Sequence, residues 1–233
     1  MSKILEIKDL SKSFPLPSKK KLEILSDLSF SVESGDSVSI VGKSGCGKST
    51  LLQIAASLLK PTSGSIKIDG KEISMMSEKE LCSLRNKKMG FIFQNSLLLD
   101  DFNAIENIMM PLLIAGVSKI NAKQKADELL NLVGLGDRAK QRVDQLSGGE
   151  KQRIAIARSL ANSPQIIFAD EPTGSLDEKN AEFIEDLLLS LVKKEDTTLI
   201  LVTHNSAFAD KCDKKMILTF GKIESPALIE EDD

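Results

Sequence analysis

Several residue types on which particular functions depend are missing or rare in this chain. Its 233 residues include no Trp, no Tyr, one histidine and three cysteines. One histidine, His204, and three scattered cysteines cannot supply the ligand set of a zinc site. Cys46, Cys82 and Cys212 are odd in number and have no CxxC spacing, which favours a reducing compartment over a disulfide scaffold.

Long apolar runs and an excess of basic charge are also lacking. The longest apolar stretch without a charge lies around residues 108–117, whereas a membrane-spanning helix needs roughly 18 apolar residues. The N-terminus has no signal-peptide pattern, so we expect that the chain does not itself cross a membrane. The 31 basic and 34 acidic side chains give a formal net charge of −3, which provides no electrostatic basis for binding nucleic acid.

The composition that remains is that of a globular protein of one or two domains. Hydrophobic residues make up 41% and charged residues 28%, which excludes wholesale disorder. Short apolar segments at 38–41, 166–169 and 199–202 predict buried strands of a parallel sheet, because each has a helical pattern as its neighbour.

Other segments show clear two-residue or helical periodicity. Apolar and polar residues alternate over 28–32 and 66–68, which predicts half-buried strands, and Asp69-Gly70 then predicts a tight turn. Apolar residues at helical spacing predict a helix over 126–133 that ends at Gly134, and another over 181–191.

A glycine-rich segment follows the first apolar strand and matches the pattern GxxxxGK[ST]. Glycines at these positions let successive backbone N–H groups point at phosphate oxygens, and a helix starting near Lys48 adds its positive dipole end. The Lys48 ammonium would reach the β- and γ-phosphates, and the Ser49 hydroxyl would ligate Mg²⁺. We therefore predict a site for ATP and Mg²⁺ at Gly42, Lys43, Ser44, Gly45, Cys46, Gly47, Lys48, Ser49 and Thr50. A glycine-rich turn that binds nothing is the alternative.

Two adjacent carboxylates end the apolar strand at 166–169. Ligands of parallel sheets bind beyond the carboxyl ends of the strands, which would place Asp170 near Mg²⁺, mainly through the water shell of the ion. Glu171 would polarise a water molecule for attack on the γ-phosphate. The alternative is an exposed acidic turn.

A third polar segment, Leu146-Ser147-Gly148-Gly149-Glu150, opens another helical pattern. A serine and two glycines at a helix start form a second anion site, although helix capping by Ser147 alone would also explain the serine.

Together these segments resemble the ATP-binding subunit of ABC transporters over essentially the whole chain. Residues 146–150 resemble the signature motif of that family, Gln94 its Q-loop glutamine, 175–177 its D-loop and His204 its switch histidine. Phe14 stands where the family places an aromatic ring that stacks on adenine.

The resemblance implies a fold and a division of the chain. The fold would be α/β, a P-loop NTPase (RecA-like) core with an N-terminal antiparallel β subdomain and an inserted α-helical subdomain. Residues 1–233 would form a single ATPase domain, with the core at 1–93 and 161–233 and the helical subdomain at about 94–160.

The resemblance also implies a mechanism in which two subunits pair head to tail around two ATP molecules. Glu171 would be the catalytic base and His204 the γ-phosphate sensor, while Mg²⁺ would be held by Ser49, Gln94 and Asp170. In each site, the partner copy would supply Ser147, Gly148 and Gly149, and Asp177 of the D-loop would be a further residue that binds the cofactor.

The segment after Gln94 is similar to a bacterial group that includes lipoprotein-releasing ATPases and macrolide exporters. Asp100 and Ser175 depart from the Pro and Asn that are usual there. The similarity implies a peripheral ATPase on the cytoplasmic face of the inner membrane that works with integral membrane subunits. An exposed apolar patch at Ile108, Met109, Met110 and Leu113 would dock such a subunit, although some of these positions would be core.

Lipoprotein release is the leading function, and three alternatives stay open at this point. The first is a macrolide or peptide exporter, or a cell-division complex, of the same group. The second is a soluble ABC ATPase of DNA repair, translation or iron–sulfur assembly, although the insertions usual in that class are missing. The third, a non-hydrolysing regulator, is disfavoured by the presence of Glu171 and His204.

Overall fold

The computed structural model describes residues 2–17 and 21–224. Ten strands are β1 Lys3–Pro15, β2 Lys21–Glu33, β3 Ser37–Val41, β4 Ser63–Ile68, β5 Lys71–Glu72, β6 Met89–Phe93, β7 Ile166–Asp170, β8 Thr198–Val202, β9 Lys214–Thr219 and β10 Lys222–Glu224. Seven α-helices are α1 Lys48–Ala55, α2 Glu78–Lys88, α3 Ala104–Ile114, α4 Lys119–Leu132, α5 Gly148–Ser159, α6 Glu178–Lys194 and α7 Ser206–Asp210. Short 3-10 turns lie at 73–75, 136–138 and 143–145.

The N-terminal strands form a small antiparallel sheet of order β2-β1-β4-β5. The strands predicted at 28–32 and 66–68 lie in β2 and β4, so both are confirmed. The predicted turn is confirmed as well, since Asp69 and Gly70 have φ of 49° and 71°. Two successive positive φ angles match the right-handed twist of a two-residue hairpin.

The larger sheet has the order β10-β9-β3-β8-β7-β6. Its strands β9, β3, β8, β7 and β6 run parallel, and β10 pairs antiparallel with β9. The three buried strands predicted at 38–41, 166–169 and 199–202 are therefore confirmed as neighbours in a parallel sheet.

Helices α3, α4 and α5 lie between β6 and β7 in the sequence, as the inserted helical segment. Gly134, with φ of 70°, follows α4, as the periodicity predicted, and Asp177 caps α6. Helix α2 was not predicted, although Ser77 and Glu80 form a capping box at its start that marks its N-terminus in the sequence.

The two faces of the larger sheet belong to two hydrophobic cores. Successive residues of a strand point to opposite faces. One core combines the helical segment with side chains such as Ile167, Ala169, Leu199 and Leu201. The other combines the small sheet and α1 with Ile166, Phe168, Ile200 and Val202. Because the helical segment shares a core with the sheet, the proposed boundaries at 94 and 160 remain a prediction.

The apolar patch expected on α3 is only partly exposed. Ile108 and Met109 are buried in the core, which contradicts their assignment to a docking surface, whereas Met110 is half-buried and Leu113 is exposed. The reason is that α3 packs against both α4 and α5, so its inward face is core. Within residues 2–17 and 21–224, no helix combines the length and the apolar character that a bilayer span requires.

Candidate functional site

The predicted phosphate-binding and catalytic residues gather at one edge of the larger sheet. Strands β3, β8, β7 and β6 are neighbours and run parallel, so their carboxyl ends lie side by side. The glycine-rich segment follows β3, His204 follows β8, Glu171 follows β7 and Gln94 follows β6. Residues separated by more than 150 positions therefore meet at a single edge, where ligands of parallel sheets bind.

The glycine-rich segment turns sharply before α1. Gly47 has φ of 105°, and a Cβ there would lie 2.9 Å from the Leu25 Cδ2 atom and 3.1 Å from the Ile24 carbonyl oxygen. A Cβ on Gly42 would clash with the carbonyl oxygen of Leu218. Only glycine fits both positions, so the loop can curl tightly against β2 and β9 with its N–H groups available to an anion.

Lys48 and Ser49 occupy the first turn of α1. The buried Lys48 Nζ donates to the carbonyl oxygens of Gly42 at 2.8 Å and Lys43 at 3.2 Å. The ammonium is thus held inside the loop that would wrap the phosphates, and its partners are neutral carbonyls that an anionic phosphate can outcompete.

Ser49 and Asp170 form the part of the site that suits a divalent cation. The Ser49 Oγ donates to the Asp170 Oδ1 at 3.0 Å. Burial, together with the charge of Glu171, raises the pKa of the Asp170 carboxyl, while the hydrogen bond from Ser49 and the charge of Lys48 partly counter that rise. A hydroxyl and a carboxylate at this distance are the hard oxygen ligands that Mg²⁺ prefers.

Glu171 lies in a strained backbone conformation next to His204. Its φ of 46° is in the left-handed region, which costs a non-glycine residue roughly 1–2 kcal/mol. The backbone N–H of Glu171 donates to the Val202 carbonyl at 2.8 Å, which anchors it to β8. Its Oε2 atom accepts from the backbone N–H of His204 at 3.1 Å and lies 2.9 Å from the His204 Nδ1. Because Nδ1 faces the carboxylate, Nε2 is the ring nitrogen left for a ligand.

Most of these groups, although not Asp170, line one cavity of about 400 Å³. Its lining residues are Ile24, Ser44, Gly45, Gly47, Lys48, Ser49, Thr50, Gln94, Glu171 and His204. Of the glycine-rich segment, Gly42, Lys43 and Cys46 do not line it. The first two present carbonyls to Lys48, and Cys46 lies beside Gly42 at the edge of the core, away from the cavity.

Phe14 lies near the end of β1, opposite Leu22 of β2, and is 37% exposed. It does not line the phosphate cavity. The Lys12 Nζ lies 4.9 Å from the centre of the Phe14 ring and also donates to the Lys60 carbonyl, so one face of the ring carries a cation. Ile24, which does line the cavity, was missed because a lone apolar residue in a strand carries no motif.

The signature segment lies at the start of α5, apart from the phosphate cavity. Ser147 caps α5 in a capping box with Glu150, whose pKa is lowered chiefly by the hydrogen bond from the Ser147 backbone N–H. Ser147 and Gly148 are exposed, and Gly149 is half-buried. Among the described residues that line the phosphate cavity, none belongs to 146–150.

Asp177 and Ser175 of the D-loop segment have local partners. Asp177 caps α6, and hydrogen bonds from the side chain and then the backbone of Asn180 lower its pKa. The Ser175 Oγ donates to the Gln94 carbonyl oxygen at 3.0 Å, a contact between the D-loop and Q-loop segments that sequence reasoning missed. Two side chains of α5 also hold the stretch after β6, since Gln152 donates to Phe93 and Arg158 to Ser96 and Leu97.

The chain is similar to known proteins over nearly its whole length. The ABC transporter family profile matches residues 25–174. The lipoprotein-releasing system ATP-binding protein LolD of Coxiella burnetii is 44% identical over 223 residues, which cover 95% of each chain. An uncharacterized ABC transporter ATP-binding protein of Thermotoga maritima is 46% identical over 96% of this chain and 95% of its own. The dimeric ATP-binding cassette MJ0796 in a post-hydrolysis state with ADP and Pi has a TM-score of 0.88 at 35% identity, covering 96% of this chain and 97% of its own.

Proposed function

The chain belongs to the ABC transporter ATP-binding family, and on that premise we propose that it powers the release of lipoproteins from a bacterial inner membrane toward the outer membrane. It is an α/β P-loop ATPase that binds and hydrolyses ATP. The single observation that supports lipoproteins as the cargo is the sequence identity of the chain to several relatives named for lipoprotein release, which is 42–44% over nearly the full length.

The phosphate end of ATP would bind the glycine-rich loop. Backbone N–H groups of 44–48 and the start of α1 provide donors and a positive dipole end for the β- and γ-phosphates. Lys48 would exchange its two carbonyl partners for phosphate oxygens, a stronger pairing for an ammonium. Mg²⁺ fits Ser49 and Asp170, with Gln94 at the same cavity, and when bound it would neutralise charge on the phosphates.

Glu171 is suited to accept a proton from the attacking water. Its Oε2 is engaged by His204, and among the described residues no hydrogen bond occupies Oε1, which leaves that oxygen for water. His204 keeps the carboxylate oriented through two contacts and presents Nε2 for the γ-phosphate. The left-handed φ of Glu171 is energetically unfavourable for a residue with a side chain. Strained backbone conformations of this kind cluster at active sites, which supports a catalytic role for Glu171.

The signature segment would act on the ATP bound to a second copy. The Ser147 hydroxyl, Gly148 and Gly149 lie at an exposed helix start that points no group into the phosphate cavity of its own chain. In a head-to-tail homodimer, each site would combine the phosphate loop of one subunit with Ser147–Gly149 and the D-loop, including Asp177, of the other. ATP charge would satisfy donors on both chains, and loss of the γ-phosphate would open the pair.

A groove between α2, α3 and β6 is the surface that we assign to the integral membrane subunits. Its volume is about 390 Å³, and its apolar lining includes Met89, Phe91, Leu99, Met110 and Ile114. The exposed Ile114 and half-buried Met110 lie on the outward face of α3, so they replace Ile108 and Met109 in the docking surface. Docking there would hold the ATPase as a peripheral subunit on the cytoplasmic face of the inner membrane, with no role for nucleic acid.

A release assay tests the proposed function. The chain is co-expressed with the integral membrane subunits of a lipoprotein-releasing system, purified as a complex and reconstituted into vesicles that carry a labelled lipoprotein. We expect ATP-dependent transfer of the lipoprotein to a soluble acceptor, and none with Glu171→Gln. Hydrolysis without release, together with macrolide or peptide efflux, would support the exporter alternative, and full activity with no membrane partner would support the soluble class.

A further inference from the structure

One buried carboxylate in the described part of the chain lies outside the phosphate cavity and contacts both catalytic segments. Glu185 belongs to α6 and is only 3% exposed. A carboxylate so deeply buried is costly unless hydrogen bonds and a counter-charge compensate it. Its partners therefore show which parts of the fold it fixes.

The Glu185 carboxylate reaches two segments through one oxygen. Its Oε1 accepts from the Asn205 Nδ2 at 3.0 Å and, more weakly, from the Thr173 Oγ1 at 3.5 Å. Asn205 directly follows His204, and Thr173 lies two residues after Glu171. One side chain on α6 thus links the turn that carries the proposed base to the turn that carries the proposed sensor.

The contact with Asn205 fixes the orientation of its amide group. The Asn205 Oδ1 accepts from the backbone N–H of Phe208 at 3.2 Å and caps α7, while the Asn205 backbone N–H donates to the Thr203 Oγ1 at 3.0 Å. The amide oxygen of Asn205 accepts a hydrogen bond from α7 and its amide nitrogen donates one to Glu185, so both polar atoms of the side chain have a partner. These hydrogen bonds hold the backbone directly after His204 in a single conformation.

The charge of Glu185 is balanced by Lys211. The Lys211 Nζ lies 3.3 Å from the Glu185 Oε2 and 2.9 Å from the Asp186 Oδ1. Asp186 first and Glu185 second raise the pKa of Lys211 by accepting its hydrogen bonds. Since Lys211 keeps Asp186 as a partner, removal of the Glu185 carboxylate leaves no unpaired lysine behind.

We propose that Glu185 is a positioning residue for ATP hydrolysis, which holds the segments after Glu171 and His204 in register through Asn205 and Thr173. The inference rests on the catalytic roles proposed above for Glu171 and His204. A small displacement of a general base costs rate and leaves phosphate binding intact, because Lys48 and the glycine-rich loop lie on different segments. The effect of losing the contact is therefore expected in kcat and not in KM.

Two variants remove the contact in different ways. Glu185→Met keeps the volume and removes the acceptor, and Asn205→Asp keeps the cap on α7 while it turns a carboxylate toward Glu185. We expect each to lower kcat for ATP about tenfold with KM within about twofold. Asp186→Asn is the matched control, since it removes the other, exposed partner of Lys211, and it should leave kcat unchanged.

A reciprocal exchange provides the rescue. In Glu185→Gln with Asn205→Asp, the glutamine amide can donate to the new carboxylate, so the hydrogen bond is restored with its direction reversed. We expect kcat to return to within about threefold of wild type, because variants in direct contact are non-additive. The melting temperature of every variant is measured alongside to separate loss of fold from loss of rate.

Three outcomes would overturn the inference. They are wild-type kcat in both single variants, a rise in KM as large as the fall in kcat, or a double variant whose kcat is as low as that of Asn205→Asp alone. Glu171→Gln is assayed in the same series. If it retains turnover, the proposed base is wrong, whereas its inactivity beside normal Glu185 variants would reject only the positioning role.

Discussion

The phosphate-loop edge of the larger sheet gathers Lys48, Asp170, Glu171 and His204 within one chain, whereas the signature segment at the start of α5 does not line the phosphate cavity. At the sheet edge, the Ser49–Asp170 hydrogen bond and the Glu171–His204 contact join the ends of three strands, β3, β7 and β8. At the start of α5, Ser147 and Glu150 cap each other, and Arg138 pairs with Glu150. One chain thus contains most of the proposed catalytic site, together with a signature segment that lies outside the phosphate cavity of the same chain.

The two regions also shift the pKa values of their carboxylates in opposite directions. Burial raises the pKa of Asp170, and hydrogen bonds from Ser147 lower the pKa of Glu150. In the nucleotide-free chain, ionised Asp170 therefore lowers the free energy of unfolding, whereas ionised Glu150 raises it. A partly desolvated carboxylate, Asp170, and a left-handed non-glycine residue, Glu171, thus lie next to each other at the phosphate edge.

The largest expected effect is at the phosphate edge, with Glu171→Gln. Turnover should fall about a thousandfold, because the amide cannot accept a proton from water. ATP binding should survive, since the substitution leaves Lys48 and the loop untouched, and the ATP-bound dimer should accumulate. Steady-state hydrolysis, nucleotide titration and size-exclusion chromatography measure the three quantities. Unchanged hydrolysis would remove Glu171 from the mechanism.

Ser147→Arg tests the other side of the comparison. Turnover should fall about a hundredfold, since a bulky cation replaces a donor needed in trans. The affinity of the isolated monomer for a fluorescent ATP analogue should stay within about twofold, because Ser147 lies outside the phosphate cavity of its own chain. An equal loss of monomer affinity would show that the signature acts in cis.

Phe14→Ala tests whether the ATP site extends from the phosphate edge to an adenine contact at Phe14. Loss of a stacking ring should raise KM for ATP about fivefold with little change in kcat. The matched control is Phe220→Ala, which removes a 93% exposed ring from the β9–β10 hairpin and should have no effect. Binding of tripolyphosphate, which has no base, should be unchanged by either variant. If tripolyphosphate binding weakens, Phe14 is supporting the loop and not the adenine.

The smallest effect is on stability, and its sign should differ between the two regions. Asp170 has a raised pKa, so its contribution to stability is present at low pH and is lost as the pH rises through that value. At neutral pH, Asp170→Asn should therefore raise the melting temperature of the nucleotide-free chain by a few degrees while it abolishes turnover. The gain should shrink as the pH is lowered toward the ordinary value of 3.8.

Glu150→Gln is the matched variant at the signature edge. Glu150 has a lowered pKa, so its contribution is present at neutral pH and is lost as the pH falls through that value. The substitution should lower the melting temperature at neutral pH and have little effect in acid. Melting curves at several pH values measure both variants, and the same sign for the two would contradict the electrostatic contrast.

Much of the fold and of the phosphate edge was predictable from local patterns. Apolar runs indicated β3, β7 and β8, and glycine spacing indicated the loop before α1, because these signals depend on neighbours in the sequence. The positive φ of Glu171 was not predictable, since β8 imposes it through Val202. The burial of Ile108 and Met109 and the contacts of Glu185 likewise depend on helices packed from distant segments.

A mixing experiment tests the central claim, that each ATP is shared between two copies, most directly. Lys48→Ala keeps an intact signature and Ser147→Arg keeps an intact phosphate edge, so neither homodimer contains a complete site. The mixed dimer contains one complete site, formed by the phosphate edge of the Ser147→Arg chain and the signature of the Lys48→Ala chain. We expect that mixing the two inactive proteins restores ATP hydrolysis, and a mixture that forms dimers but stays as inactive as its components would contradict the shared site.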